Sequence, residues 1–525
     1  MDSDVTTLCP DLQSACRQWP QRNAVTSGQI TLTYQELWNR VRALAGAYRS
    51  MGVMPGDRMM CALRTCPEHV VAMHAAWQCG AVHVGVHNEL TASELCSLVG
   101  RIEPTALVFQ PRGSDGSDDA LSAVAEAFPG VLRIVHGGAV GDDEVLLEEL
   151  TSPEHAAEAP SALPGPDDPA VVFLTSGSTG RSKAVVDTLA GLWGKIAFFH
   201  RAFEPGPDDV HLLYLPICHA FGMKLTLLAL LTGGHLVLLE RFSPSAALRL
   251  VTTEGVTVLP ATPTHLRILL AELDATAHRT DTLRWVPTAA APLPGALAEE
   301  VYQRLGVEIF SVYGCSEGFL CVTIDRDDVL AGSVGRTVYR GPIGTPPAGT
   351  MKVVDPGNQT PMPAGELGEI AFGAISPVRY WDEAPAATEG WYHSGDLGRQ
   401  DSDRRLFILG RRKELVNRGG LKVSSGEVEA VLVQHPGVAD AAVVPTPDPV
   451  LGEAICACVV PAGPLSPTLT EVRAFLAVSL ARHKLPDELC ALERLPRSSI
   501  GKLDRTALVS LVVDGDVPRE RLRPR

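Results

Sequence analysis

From residue 33 to residue 110 two hydrophobic periods alternate along the chain. Tyr34 to Met51 and Glu68 to Cys79 repeat apolar residues at helical spacing, whereas Arg58 to Leu63 and Ala106 to Phe109 are short runs of strand length. That alternation predicts layered α/β structure, because helices and strands of this kind bury their apolar faces against each other. It resumes through Val210 to Leu215, Leu225 to Thr232, Leu236 to Leu239 and Val256 to Leu259, while Gly113 to Asp119 reads as an exposed acidic loop. Near residue 340 the texture changes. Gly341-Pro-Ile-Gly-Thr-Pro-Pro-Ala-Gly349 opens a stretch of short strands broken by Gly and Pro, the pattern of a small β subdomain. Past Arg411 comes a compact α+β unit ending in a charged tail, Arg519 to Arg525. The expected organisation is a large amino-terminal domain of layered α/β subdomains plus the small β subdomain, residues 1–410, followed by a small carboxy-terminal domain, residues 411–525.

With 525 residues, 45% hydrophobic and 20% charged, the chain has material for two to four domains with substantial cores, which excludes disorder over most of its length. A net charge of -16 repels polyanions, so general affinity for nucleic acid or an anionic membrane is excluded and any anionic ligand must be captured locally. Met1-Asp-Ser-Asp-Val lacks the layout of a secretory signal, and the longest apolar candidate, Leu225 to Leu239, is too short to span a bilayer. A cytoplasmic protein is expected. Of the 12 cysteines none forms a Cys-x-x-Cys pair, and Cys456 and Cys458 lie two apart on an expected strand; free buried thiols fit better than disulfides or zinc ligation.

The apolar run Ala170-Val-Val-Phe173 leads into Leu174-Thr-Ser-Gly-Ser-Thr-Gly-Arg-Ser-Lys-Ala-Val185. A bland linker would be flexible and exposed. A loop hung from a strand and carrying hydroxyls, glycines and a lysine instead suits phosphate, which its N–H and O–H groups surround and its ammonium neutralises. It is not a Walker A loop, since Ser182 rather than Gly precedes Lys183, and not a hydrolase elbow, since Ser176 stands where Gly-x-Ser-x-Gly needs glycine.

This loop resembles the phosphate loop of the adenylate-forming superfamily, which includes acyl-CoA synthetases, aryl-acid ligases, luciferases and peptide-synthetase adenylation domains. The family pattern is Thr-Ser-Gly-Thr-Thr-Gly-x-Pro-Lys-Gly; here Ser182 replaces the proline and Ala184 the last glycine. Five further motifs follow in the family's order: Leu215-Pro-Ile-Cys-His-Ala-Phe-Gly222, Tyr313-Gly-Cys-Ser-Glu317, Trp391-Tyr-His-Ser-Gly-Asp-Leu-Gly398, Gly410 to Gly420 continuing to Glu429, and Leu495-Pro-Arg-Ser-Ser-Ile-Gly-Lys-Leu-Asp-Arg505. The likeness runs from about Leu32 to Leu508.

The resemblance implies ATP, Mg2+ and CoA, or a carrier-protein phosphopantetheine, as cosubstrates, with no nucleic-acid or membrane partner. It implies that Thr175, Ser176, Gly177, Ser178, Thr179, Gly180 and Lys183 hold phosphate, Lys183 covering pyrophosphate on a mobile loop. Tyr313 would stack on the adenine, Gly314 and Ser316 would also bind the nucleotide, Asp396 would accept from the ribose hydroxyls, and Arg411 would add charge near the ribose and phosphates. Lys502 would bridge carboxylate and α-phosphate, and Glu317 would be the magnesium ligand and a further catalytic group. His219, the third catalytic candidate, is open between flanking the acid and serving as a structural residue.

The acid pocket would be lined by His219, Ala220, Lys224, Ala289, Ala290 and Cys315. Thr288-Ala-Ala-Ala-Pro292 stands where relatives commonly have Ser-Gly-Gly-Ala-Pro; the extra methyls narrow the channel and favour a small or flat acid. Ala220 replaces the Asp that binds an α-amino group in peptide synthetases, which disfavours an amino acid. Lys224 has two open readings, facing the pocket to pair with a phenolate or second carboxylate, or pointing to solvent. In the family the small domain rotates after adenylation; Lys413 matches the hinge, and Gly419 and Gly420 lie in the loop that would admit a pantetheine arm. The expected activity is ATP-dependent activation of a small carboxylic acid as acyl-AMP, with transfer to CoA. The alternatives are carrier-protein loading, a Ser/Lys amidase-type hydrolase using Lys183, and a binding protein descended from an enzyme.

Overall fold

The computed structural model describes residues 8–112, 118–138, 141, 143–152, 163–175, 183–275, 278–291, 293–317, 320–323, 325–335, 351–373, 379–382, 391–419, 421–497, 503–514 and 517–522. At its centre an eight-stranded sheet runs in the order Arg379–Tyr380, Lys183–Thr188, Pro169–Thr175, Val82–Gly85, Arg58–Ala62, Ala106–Phe109, Leu132–Val135, Glu144–Leu146. From Pro169–Thr175 outward the strands are parallel, and Lys183–Thr188 returns antiparallel with Thr175 opposite Lys183. The expected helix from Tyr34 forms over Tyr34–Ser50. Thr33 and Glu36 make a reciprocal capping box at its start, which satisfies orphan donors of the first turn.

A second sheet aligns Val210–Leu213, His235–Leu238 and Asn23–Ser27 in parallel, with Ile30–Thr33 folded back on the last. Val256 to Leu259, expected as a strand, makes only a bridge: Val258 pairs with His211 on one side and Trp285 on the other. Pro260 follows directly and lacks the N–H that would extend a ladder. The bridge connects this sheet to Trp285–Thr288, Glu308–Gly314 and Leu320–Val322. The apolar stretch Leu225 to Leu239 divides into the end of helix Ala220–Leu231 and strand His235–Leu238, turning at Gly233 with φ +79°. A Cβ at Gly233 would lie 2.6 Å from the Trp19 ring, so both the backbone and the packing require glycine. Among the described residues no helix is long and apolar enough to cross a membrane.

The small β subdomain is an antiparallel sheet of Met351–Val354, Gly368–Gly373, Trp391–Gln400 and Leu406–Arg411; Gly341 to Gly349, expected to open it, lies outside the described residues. After Arg411 the chain builds a six-stranded sheet centred on Gly452–Pro461, with helices Ser425–Leu432, Leu469–Leu476 and Arg505–Val513 packed on it. This unit has two hydrophobic cores of its own, one around Val416, Val443 and Ile455 and another around Val444, Cys458 and Leu508. Two local expectations are corrected. The charged tail is in part an edge strand: Arg519–Arg521 pairs with Glu488–Ala491, and Arg519 and Arg521 both reach Glu488 at 2.9 Å. Within the expected loop Gly113 to Asp119, residues 113–117 lie outside the description. Asp118 instead caps helix Asp119–Ala127 and pairs with Arg112 at 2.7 Å. The described cysteines are free thiols, and Cys456 and Cys458 cluster with Cys490 of the neighbouring strand.

Candidate active site

Two motifs distant in sequence close on each other by a reciprocal exchange. Tyr313 lies near the end of strand Glu308–Gly314 and Glu317 just beyond it; Tyr392 and Asp396 lie on the strand Trp391–Gln400. Tyr313 donates its hydroxyl to Asp396 Oδ2 at 2.7 Å, and Tyr392 donates to Glu317 Oε1 at 2.8 Å. Each segment supplies a tyrosine and, four residues later, a carboxylate, so each half satisfies the other. Burial, with the Asp396 charge second, raises the Tyr313 phenol well above its ordinary range; burial, with the Glu317 charge second, does the same to Tyr392. Both phenols therefore stay protonated and act as donors.

Asp396 is buried, and its remaining oxygen, Oδ1, receives Arg411 Nε at 3.0 Å across the strand pair in which Asp396 faces Arg411. Gly395, at φ +73°, turns the backbone just before it, and Ser394 Oγ accepts from the Asp396 N–H at 3.0 Å. Two carboxylate oxygens hold more lone pairs than these contacts use, so Asp396 can still accept hydroxyls. Gly314 ends its strand exposed, and Ser316 is half-buried in the turn to Glu317.

Lys183 joins the same cluster from the central sheet. Its Nζ donates to Tyr380 Oη at 3.3 Å and lies 4.8 Å from that ring's centre, while Tyr380 donates to Glu317 Oε1 at 3.2 Å. Thr175 sits opposite Lys183 in the sheet, so the phosphate-loop candidate is bracketed by the two strands, as the apolar run before it predicts. Ser176, Gly177, Ser178, Thr179 and Gly180 lie outside the described residues, as do Gly420 and Lys502.

The helix Ala220–Leu231 carries the next candidates. His219 is its N-cap residue, half-buried, with its ring centre 6.1 Å from that of His87. Ala220 is half-buried at the first turn. Lys224, one turn on, is only 3% exposed, so its solvent reading is overturned. Among the described residues its ammonium has no hydrogen-bond or ion-pair partner; the nearby Asp187 is taken by Lys195 at 2.5 Å, both fully buried. Burial foremost, then the Lys195 charge, pushes the Lys224 pKa down to about 7, against the opposing influence of Asp187, Cys315 and Glu317. Ala289 is buried and Ala290 exposed. Ala290 adopts φ +76°, a left-handed conformation costly for a residue with a Cβ. Cys315 is half-buried between Tyr313 and Glu317.

At the junction with the carboxy-terminal unit, Lys413 is exposed on the short helical turn Arg412–Glu414, directly after strand Leu406–Arg411. Arg412 reaches back to Glu369 at 3.2 Å, and Arg505 spans Glu414 at 3.0 Å and Glu429 at 2.8 Å. Gly419 adopts φ +59° and donates its N–H to Leu451 O at 2.8 Å. Sequence reasoning missed Tyr380, Tyr392, Lys195 and Asp187. Tyr392 lies inside a quoted motif and carried a usable signal; the other three meet partners that no local pattern announces.

The profile of the AMP-binding enzyme family matches residues 12–377, and that of the AMP-binding enzyme C-terminal domain matches residues 427–502. A 2-hydroxy-7-methoxy-5-methyl-1-naphthoate–CoA ligase of Streptomyces carzinostaticus is 33% identical, over 96% of this chain and 92% of its own. A salicyl-AMP ligase / salicyl-S-ArCP synthetase of Mycobacterium tuberculosis is 30% identical, over 96% and 90%. Among solved structures, ATP-bound MatB from Rhodopseudomonas palustris superimposes with a TM-score of 0.83 at 26% identity, covering 96% of this chain and 99% of that one. With both profiles matched in order and relatives aligned along almost their whole length, the chain belongs to the AMP-binding, adenylate-forming enzyme family.

Proposed function

We propose that the protein is an AMP-forming acid–thiol ligase that activates a small aromatic carboxylic acid with ATP, releases pyrophosphate and passes the acyl group to the thiol of CoA. The observation that carries this reading is the reciprocal pairing of Tyr313–Glu317 with Tyr392–Asp396, reached by Lys183 through Tyr380. It links side chains from three of the motifs in one hydrogen-bonded cluster. The relatives named above are a ligase and a synthetase of aromatic acids, which favours that substrate class here.

A carboxylate attacks the α-phosphorus only if the negative charge on both reactants is offset. In this reading Asp396 accepts the ribose hydroxyls, Arg411 and the Tyr313 ring flank the nucleoside, and residues 175–180 with Lys183 hold the phosphates. Glu317 fits a magnesium ligand: both tyrosines donate to its Oε1, while among the described residues no hydrogen bond reaches Oε2. Magnesium asks little more of the protein than one carboxylate oxygen beside water and phosphate, and when bound it neutralises phosphate charge. Lys502 bridges the attacking carboxylate and the α-phosphate oxygen, and AMP becomes the leaving group for the thiol. His219 borders the acid.

Residues 1–410 form the adenylating body and 411–525 the lid that carries Lys502. Rotation at Lys413 removes that lysine and brings Gly419 and Gly420 to the site for the pantetheine arm. A carrier-protein phosphopantetheine presents the same arm, and the salicyl-S-ArCP synthetase likeness favours it as the second acceptor.

The test is acid-dependent ATP–pyrophosphate exchange over a panel of aromatic and short aliphatic acids, followed by transfer to CoA or a carrier protein. Lys502→Ala is expected to lower exchange about 1,000-fold or more while keeping much of the thiol transfer from supplied acyl-AMP. No exchange with any acid, or equal loss in both half reactions, contradicts the reading.

A further inference from the structure

Among the described residues of the amino-terminal body, the ammonium of buried Lys224 meets no hydrogen-bond or ion-pair partner. Lys224 lies on a helix whose neighbours Met223, Leu225, Leu227 and Leu228 are all buried and apolar, and 3% of it is exposed. A buried ammonium ordinarily has a carboxylate in hydrogen-bond contact. The nearby candidates are occupied. Asp187 holds Lys195 at 2.5 Å, and Glu317 Oε1 receives Tyr392 at 2.8 Å and Tyr380 at 3.2 Å. A cation kept buried without a partner is costly, so it persists where a ligand supplies the missing group.

The position of Lys224 says which ligand. Helical side chains lean toward the helix amino terminus, so Lys224 reaches back over the turn that begins with His219 and Ala220. Among the charges close enough to act on it are Glu317, on the segment that pairs with the strand Trp391–Gln400, and the Lys195–Asp187 pair. The adenylation reading puts the acid there, beside Ala220, whose side chain ends at Cβ.

We infer that Lys224 selects the acid, binding a ring hydroxyl of a hydroxylated aromatic carboxylic acid while the reacting carboxylate lies toward the nucleotide. The inference rests on the adenylation reading and names its substrate class. A phenol suits this lysine better than a second carboxylate does. It donates to the neutral amine and, as phenolate, accepts from the ammonium, so the pair is satisfied in either protonation state without bringing another obligate negative charge beside Glu317.

The experiment compares kcat/KM for acid-dependent pyrophosphate exchange by the full chain, using benzoate, the 2-, 3- and 4-hydroxybenzoates, 2-hydroxy-1-naphthoate and phthalate. Wild type is expected to prefer one hydroxylated ring position over the unsubstituted ring by about 30-fold or more, because a site built to bond a hydroxyl rejects the analogue lacking it. Lys224→Met, close in length and without charge, is expected to lower kcat/KM for the preferred hydroxylated acid about 30-fold more than for benzoate, so that the preference is lost. Lys224→Gln, which still bonds a hydroxyl, is expected to recover part of the preference, and a nucleotide-dependent thermal shift reports that each variant is folded. Equal loss on hydroxylated and unsubstituted acids, a preference that survives Lys224→Met, or a wild-type preference for phthalate overturns the inference while leaving adenylation standing. Exchange with no acid at all refutes the adenylation reading and this one together.

Discussion

The two halves of the proposed site treat charge in opposite ways. On the proposed nucleotide side, the carboxylates of Asp396 and Glu317 have protein donors already in place, from Tyr313, Arg411, Tyr392 and Tyr380. On the acid side, Lys224 is a buried cation with no such partner among the described residues. The first arrangement is assembled before any ligand arrives, so its ligand adds contacts to a finished frame. The second is incomplete without a ligand, which places discrimination there: an acid that completes it gains a bond, and one that does not leaves a charge buried.

The largest expected effect comes from breaking the finished side. Asp396→Asn keeps the shape but removes the charge that Tyr313 and Arg411 answer, and is expected to cost about 2–3 kcal/mol, roughly 100-fold in kcat/KM for ATP. Steady-state kinetics varying ATP at saturating acid measures it, and an unchanged ATP dependence would mean that Asp396 serves the fold alone.

The incomplete side predicts the opposite sign for stability. Since burial depresses the Lys224 pKa from 10.5 to about 7, below pH 7 the folded protein must bury a charge that the unfolded chain keeps in water. Between about pH 7 and 10 the unfolded chain holds a proton the folded protein has released, so wild-type stability rises with pH through that window. Lys224→Met is thus expected to stabilise the ligand-free protein by about 1–3 kcal/mol at pH 6, with the gain shrinking toward pH 10. Urea melts of both proteins at pH 6 and pH 9 check it; a variant less stable at pH 6 would show that Lys224 is already satisfied.

The smallest effect sharpens the contrast within the finished side. Tyr392→Phe removes the shorter of the two bonds to Glu317 and is expected to cost about 1 kcal/mol in ATP utilisation, with Tyr380→Phe costing less because its bond is longer and its hydroxyl also faces Lys183. Titrating magnesium at fixed ATP separates a poorly oriented Glu317, which raises the magnesium requirement, from a general loss.

The layered α/β body was legible where segments carry their own period and caps; Thr33 and Glu36 announce the helix they begin. Asp396, Glu317 and Arg411 were legible because their motifs are contiguous. Tyr380 was not: it lies on a two-residue edge strand and meets Lys183 across 197 residues of sequence. Lys224 was half legible. Its helix is apolar on every side, so no polar face tells which way a lysine points, and only packing resolves that.

The linear chain determined the parts that arise from neighbours: which segments are helix or strand, where turns need glycine, and which short stretches carry hydroxyls, carboxylates or lysines. Tertiary folding alone decided which of those groups meet. Whether a charge finds a partner depends on segments brought together by burial of distant apolar faces, and no local period encodes that. The same composition of acids, tyrosines and lysines therefore became a closed network around Glu317 and Asp396 and an open one around Lys224.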